Sequence, residues 1–272
     1  MFSFEFMRNA YTAGTLIAIV SGGVMGGVFV IARKMAFMTH TLSEIGFAGA
    51  SFGMFAGWSP LNGMLLFTIV SSILVGGRLS GTNESRRESV ISAISGLFIG
   101  LGILFLALSD QSSSYATNIL FGSVVGISRA DVWQMSILSL AILLVVLLVY
   151  RNLKDASFDP TGARANGVAV NILGGVVFLV LLALSVSVAA QIVGSLLIFI
   201  LLTLPAASAR YFAHSVSGMM LTAVGCALLG VWLGLYLGYL TNWPVTFFIA
   251  VIEAAIYGIA LLVNHYQSQI TE

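Results

Sequence analysis

Of 272 residues, 59% are hydrophobic and 8% are charged, the formal net charge is +1, and the mean hydropathy is +1.05. Soluble domains carry about 25% charged residues, so a water-soluble domain is excluded, and a near-neutral chain offers no field for nucleic acid. Apolar runs close to twenty residues long recur instead, which predicts an all-α, polytopic membrane protein with a single transmembrane domain over residues 1–272.

In chain order, MFSFEFMRNA holds Glu5 and Arg8 and lacks a small-residue cleavage site, so no removable signal peptide is expected. About nine spanning helices follow, at roughly 11–32, 37–57, 61–77, 90–108, 131–150, 167–185, 189–207, 216–238 and 245–264. Each is long enough, or nearly so, to cross a ~30 Å hydrocarbon core. The first contains SGGVMGGVF, where Gly22 and Gly26, and Gly23 and Gly27, are four apart, a spacing that lets membrane helices approach closely. Residues 113–128, SSYATNILFGSVVGIS, are short and only moderately apolar, and a half-helix on one surface is expected there. The stretch 167–207 is almost unbroken, with a turn expected near Ser187. The single cysteine, Cys226, sits in an apolar run as a small packing residue, and no disulfide framework is possible.

Orientation follows from Lys and Arg. Arg33, Lys34, Arg78, Arg86, Arg87, Arg151, Lys154, Arg164 and Arg210 fall on one side of the predicted spans, and only Arg8 and Arg129 on the other. The first set is therefore expected in the cytoplasm, with the N-terminus outside. Two cytoplasmic loops are substantial, at 77–89 and 150–167, and neither is large enough to be a domain. No phosphate loop of the GxxxxGK[ST] type occurs, so the chain cannot hydrolyse ATP alone. It is not expected to be an enzyme.

The second span, FMTHTLSEIGFAGASFG, carries His40 and Glu44 four residues apart, on one helix face. Glu44 lies ten residues past Lys34, roughly 15 Å along a helix, near mid-membrane. A charge there costs at least about 2.5–3.5 kcal/mol, so it needs a partner or a cavity. Imidazole nitrogen and carboxylate oxygen suit zinc, manganese or ferrous iron. A proton relay and a purely structural polar pair stay open beside that metal reading. Glu253, in PVTFFIAVIEAAIYGIA, is a second buried acid with no spacing partner on its own helix; it is a further candidate for the metal site, for a polar cavity or for a helix-bridging bond. His214 and His265 fall at helix ends, and Asn171 and Gln191 read as helix-bridging amides.

Four stretches share one further property. EFMRNAYTAG (5–14), GVFVIARKMAFMTHTLSEIGFAGASFG (27–53), FDPTGARANG (158–167) and QIVGSLLIFILLTLPAASA (191–209), the last read as a span ending in a proline-interrupted turn, resemble in order and spacing the membrane permeases of zinc and manganese ABC uptake transporters. That family shows GDxxxHxxxxG at the start of its second span, with the aspartate and histidine contacting the metal. Aligned on Gly49, this sequence places His40 at the aspartate position and Glu44 at the histidine position, so the two donor types are kept in swapped order. The resemblance implies an importer of a divalent transition metal (zinc, manganese or iron) as transported substrate, with no permanently bound cofactor. It implies a homodimer in a bacterial cell membrane, two cytoplasmic ATP-binding subunits and an extracellular metal-binding protein. It also implies that Phe158, Asp159, Pro160, Gly162, Ala163, Arg164 and Gly167 form the loop that docks on the ATPase. The alternative is a stand-alone, proton-coupled secondary transporter. It would explain the buried acids but not this loop, and such carriers often show inverted repeats, of which none is convincing here.

Overall fold

A computed structural model describes residues 4–24, 27–76, 84–109, 122, 127–170 and 172–271. Among them there is no strand. The helices are α1 (Phe4–Ile17), α2 (Gly27–Ala32), α3 (Ala36–Phe55), α4 (Pro60–Gly76), α5 (Glu84–Leu108), α6 (Arg129–Phe158), α7 (Pro160–Ala165), α8 (Phe178–Val193), α9 (Ser195–Phe212), α10 (Val216–Thr241) and α11 (Val245–Thr271). Wider π-helical turns occupy Ala18–Val24 and Ile172–Val177. The all-α expectation holds.

Two kinds of helix are present. α3 buries residues on every side, among them Met38, Thr41, Leu42, Ile45, Phe47 and Ala50, and α8 buries Phe178, Leu179, Leu182, Val186 and Ala190. A helix buried on most of its circumference belongs to the middle of a bundle. The others turn large apolar side chains outward: Leu97 and Ile103 on α5, Leu147 and Leu148 on α6, Leu221 and Leu229 on α10, Ile259 and Leu262 on α11. Outward leucine is stable only against lipid or another apolar surface. Several hydroxyls inside the bundle are satisfied by the protein itself, whereas those of Thr39, Ser72 and Ser139 are buried without a partner among the described residues. Ser51, Thr68, Ser185 and Ser208 each donate to the carbonyl four residues back, and Thr68 Oγ1 also lies 2.9 Å from Ser187 Oγ, tying α4 to α8.

By length and composition, four helices are long and apolar enough to cross a bilayer: Ser89–Leu108, Arg129–Phe158, Val216–Thr241 and Val245–Tyr266. Pro60–Gly76, Gly175–Ala190 and Leu197–Phe212 are apolar and shorter. The expected count of about nine crossings is not established by this measure. The first expected span is broken by π turns, and α3 dilutes its apolar residues with His40, Glu44 and several hydroxyls.

Several boundaries differ from the sequence expectation. The break in 167–207 is at Gly194, with φ +83°, and Ser187 lies buried inside α8. Only glycine adopts that backbone conformation without strain, whereas Ser187 finds a helix-to-helix hydroxyl partner. Pro205 lies within α9, which continues to Phe212; the LPAA segment is helix, with no turn. α5 begins at Glu84, and α6 runs eight residues beyond Tyr150 to Phe158, so both expected loops are shorter. A Ser128–Asp131 capping box starts α6. The half-helix expected at 113–128 falls almost entirely outside the described residues, as does the packing of Gly22, Gly23 and Gly26.

α3 and α4 meet backbone to backbone. A Cβ on Gly49 or on Gly63 would collide with the carbonyl of the other, so both positions require glycine. This contact, with α5 and α9 packed on other sides, fixes α3 in the bundle.

Candidate functional site

The chain reverses between α2 and α3 at Arg33 and Lys34, where Lys34 takes φ +54°. One turn into α3, His40 Nε2 lies 3.1 Å from Glu44 Oε1. The i,i+4 geometry of a regular helix is enough to bring them together. Their side chains are 33% and 15% exposed, so the pair can be reached from outside the chain. The other oxygen, Glu44 Oε2, accepts a hydrogen bond from Ser95 Oγ on α5. The His40 ring meets Phe199 of α9 edge-on at 5.6 Å and Phe37 at 6.1 Å. A nitrogen donor and a carboxylate are thus held at the junction of α3, α5 and α9, with aromatic rings fixing the imidazole. Among the described residues no group of three or more His, Cys, Asp and Glu comes together, so one chain supplies two such donors here.

Glu253 does not join them. It is fully buried on α11, and its carboxylate lies against Gly230 of α10, where a Cβ would collide with it. Neither carboxylate oxygen has a hydrogen-bond partner. Gly234 and Gly238 continue the same stripe against Ile249 and Val245, so Glu253 occupies one rung of a close helix–helix contact.

The segment FDPTGARANG folds as the sequence dictates. Asp159 accepts the Gly162 N–H on Oδ1 at 2.9 Å and caps α7, and Pro160 occupies its first turn, where a missing N–H costs nothing. A Cβ at Gly162 would collide with the Asp159 carboxylate. Gly167, with φ +76°, ends the turn. Ala163 is buried, while Arg164, Thr161 and Pro160 are exposed. The result is a short, capped helix pinned by one alanine, presenting a cation outward.

Sequence reasoning missed three connections. Ser95 was one hydroxyl among many in apolar helices, and nothing in its spacing distinguished it. Phe199 lies in an apolar run, whose composition does not tell which side chain it meets. Arg33 entered only through its charge, yet its Nε donates to Ser157 Oγ at 2.9 Å and its guanidinium lies 4.9 Å from the centre of the Phe178 ring. Burial pulls Arg33 down to about 10, still far enough above neutrality to keep it cationic. Phe29 of α2 meets both Tyr150 and Phe158 edge-on at 6.4 Å, so α2 and the turn before α3 rest on the end of α6 that leads into α7.

The chain as a whole is similar to known proteins. A family model described as the ABC 3 transport family matches residues 3–264. The manganese import system permease protein ScaB of Streptococcus parasanguinis is 31% identical over 260 residues, covering 96% of this chain and 91% of that protein. The manganese transport system membrane protein MntC of Listeria monocytogenes is 28% identical over 262 residues, covering 96% and 92%. Among solved structures, PsaBC from Streptococcus pneumoniae in complex with Fab superposes with a TM-score of 0.85 at 28% identity, over 95% of this chain and 91% of that one.

Proposed function

Since the chain belongs to the ABC 3 transport family, as a membrane permease subunit whose ATP hydrolysis takes place on a separate subunit, we propose that its cargo is manganese and that His40 and Glu44 contact the ion in transit. The observation carrying this reading is the partly open His40–Glu44 pair on α3, an imidazole nitrogen and a carboxylate oxygen 3.1 Å apart. The manganese relatives support the choice of ion, and the carboxylate supplies the oxygen a hard cation prefers. Family membership also favours an ATP-driven importer over the stand-alone carrier.

Nε2 lies 3.1 Å from Oε1, placed to donate to the carboxylate. Nε2 carries the hydrogen of that contact, so a cation entering between them requires the proton to leave Nε2, the imidazole passing to its Nδ1–H tautomer, and the freed Nε2 lone pair and the carboxylate then face the ion. Two donors bind weakly, as a transfer site must if the ion is to leave again. A second copy related by a two-fold axis would bring another His40 and Glu44 to the same pathway and double the donor set. An extracellular metal-binding protein would deliver the ion, and two ATP-binding subunits would seat on the α7 helices through the Arg164 face. This arrangement leaves Glu253 out of the pathway, as a packing residue of the α10–α11 pair.

The test is elemental analysis of cells with and without this chain, across all transition metals at once. Manganese is expected to fall selectively when the chain is absent. Unchanged manganese with a fall in zinc or iron would reassign the cargo, and no change in any metal would reject the reading.

A further inference from the structure

We infer that Ser95 is a positioning residue of the ion-transfer site: its hydroxyl holds one oxygen of Glu44 so that the other faces His40. The inference rests on the function proposed above and adds a residue that the motif on α3 does not contain.

Ile91, Ser95, Phe98 and Gly102 lie on one face of α5, at helical spacings of four, three and four. That face is turned toward α3: a Cβ at Gly102 would come within 2.7 Å of the Phe47 ring and 3.1 Å of Ala48. Ile91 and Ser95 are buried, while Leu97, Ile103 and Leu104 on the other side are exposed. The close approach at Gly102 therefore sets how near Ser95 comes to α3.

The partner of the Ser95 hydroxyl is what separates it from the others. A serine or threonine in an apolar helix ordinarily bonds its own helix four residues back, as Ser51, Ser185, Ser208, Thr203 and Thr222 do here. Ser95 donates across to a different helix, and to a carboxylate. A glutamate side chain has several rotatable bonds and loses substantial rotamer freedom when fixed. Its own helix supplies one constraint on Glu44, the Oε1 contact with His40. When a cation replaces that contact, Ser95 is the donor that continues to hold Oε2, so Oε1 stays directed at the ion. Without the hydroxyl, the carboxylate is free to swing away at the moment of transfer.

The experiment compares Ser95→Thr with Ser95→Val, two side chains of the same shape of which only one has a hydroxyl. Each is made in the full chain, co-produced with its ATP-binding subunits, and manganese import per assembled transporter is measured beside Ser95→Ala and Glu44→Ala. Outer partners of metal ligands are worth about 10–100-fold. Ser95→Thr should import within about twofold of the parent, and Ser95→Val and Ser95→Ala about tenfold more slowly, at equal assembly and equal basal ATP hydrolysis. Equal import by Ser95→Thr and Ser95→Val, or parental import by Ser95→Ala, would overturn the inference. So would loss of assembly in Ser95→Val alone, which would make the hydroxyl a folding contact. If Ser95→Ala imports normally while Glu44→Ala does not, only the Ser95 role fails; normal import by Glu44→Ala rejects the transfer site itself.

Discussion

Helix α3 and the α10–α11 pair each carry one carboxylate deep in an apolar setting, and the two carboxylates are held in opposite ways. Glu44 has His40 on its own helix, Ser95 on a neighbouring one, and a partly open face. Glu253 is sealed at 0% exposure against a glycine, with no hydrogen-bond partner for either oxygen. An acid set in an apolar environment is therefore not enough to mark a transport residue. On the function proposed above, donors gathered around an accessible carboxylate mark the transfer site, and Glu253 is a side chain packed between helices.

The contrast breaks first at Glu44. Second-layer partners of metal ligands are worth about 10–100-fold, so Glu44→Ala should reduce manganese import by at least about a hundredfold in a transporter that still assembles. His40→Ala should act in the same direction and less strongly on manganese, because the charge remains. Radiolabelled manganese uptake checks both; an Ala variant at Glu44 that imports normally removes the distinction between the two acids.

A smaller effect is expected where neither acid is touched. Arg164→Ala strips the exposed cation from α7 and leaves Ala163 and the Asp159 cap in place. Import should fall by about tenfold, the scale of one good interface contact, while the permease stays in the membrane and both acid environments are unchanged. Parallel measurement of ATP hydrolysis and uptake would register the loss of coupling. Unaltered coupling would assign the ATPase contact to another surface.

The smallest effects on transport belong to Glu253. Glu253→Leu removes an unsatisfied carboxyl, so import should stay within about twofold and thermal stability should hold or rise. Gly230→Ala forces a methyl group onto that carboxylate and should destabilise the chain by about 1–3 kcal/mol, seen as a lower unfolding midpoint of the detergent-solubilised protein. If Glu253→Leu instead abolishes import as Glu44→Ala does, both acids belong to the pathway.

Much of the local architecture was legible in the sequence. His40 and Glu44 meet because they are four apart on a helix, and FDPTGARANG contains its own cap, first-turn proline and terminating glycine. These are short-range effects, fixed by a few dihedral angles. The break at Gly194 was misplaced at Ser187 because both lie in one apolar run, and a serine that serves as an interhelical bond looks like a serine in a turn. Pro205 was read as a stop, yet α9 carries it. Ser95, Phe199 and the Arg33–Ser157 link were invisible for a common reason: each depends on which helices pack together, and apolar composition alone encodes no partner. The separation of Glu253 from Glu44 belongs to the same class.

The central claim, that the α3 pair is a transfer site and not a structural bond, is tested most directly by replacing both members together. His40→Leu with Glu44→Met removes the donors and the mutual contact at once, so no polar partner on that helix face is stranded by loss of the other. Manganese accumulation by cells carrying this double variant, with assembly on the ATP-binding subunits verified, separates the cases. The account predicts a stable, assembled transporter that imports no manganese. Parental import by the assembled double variant would contradict it.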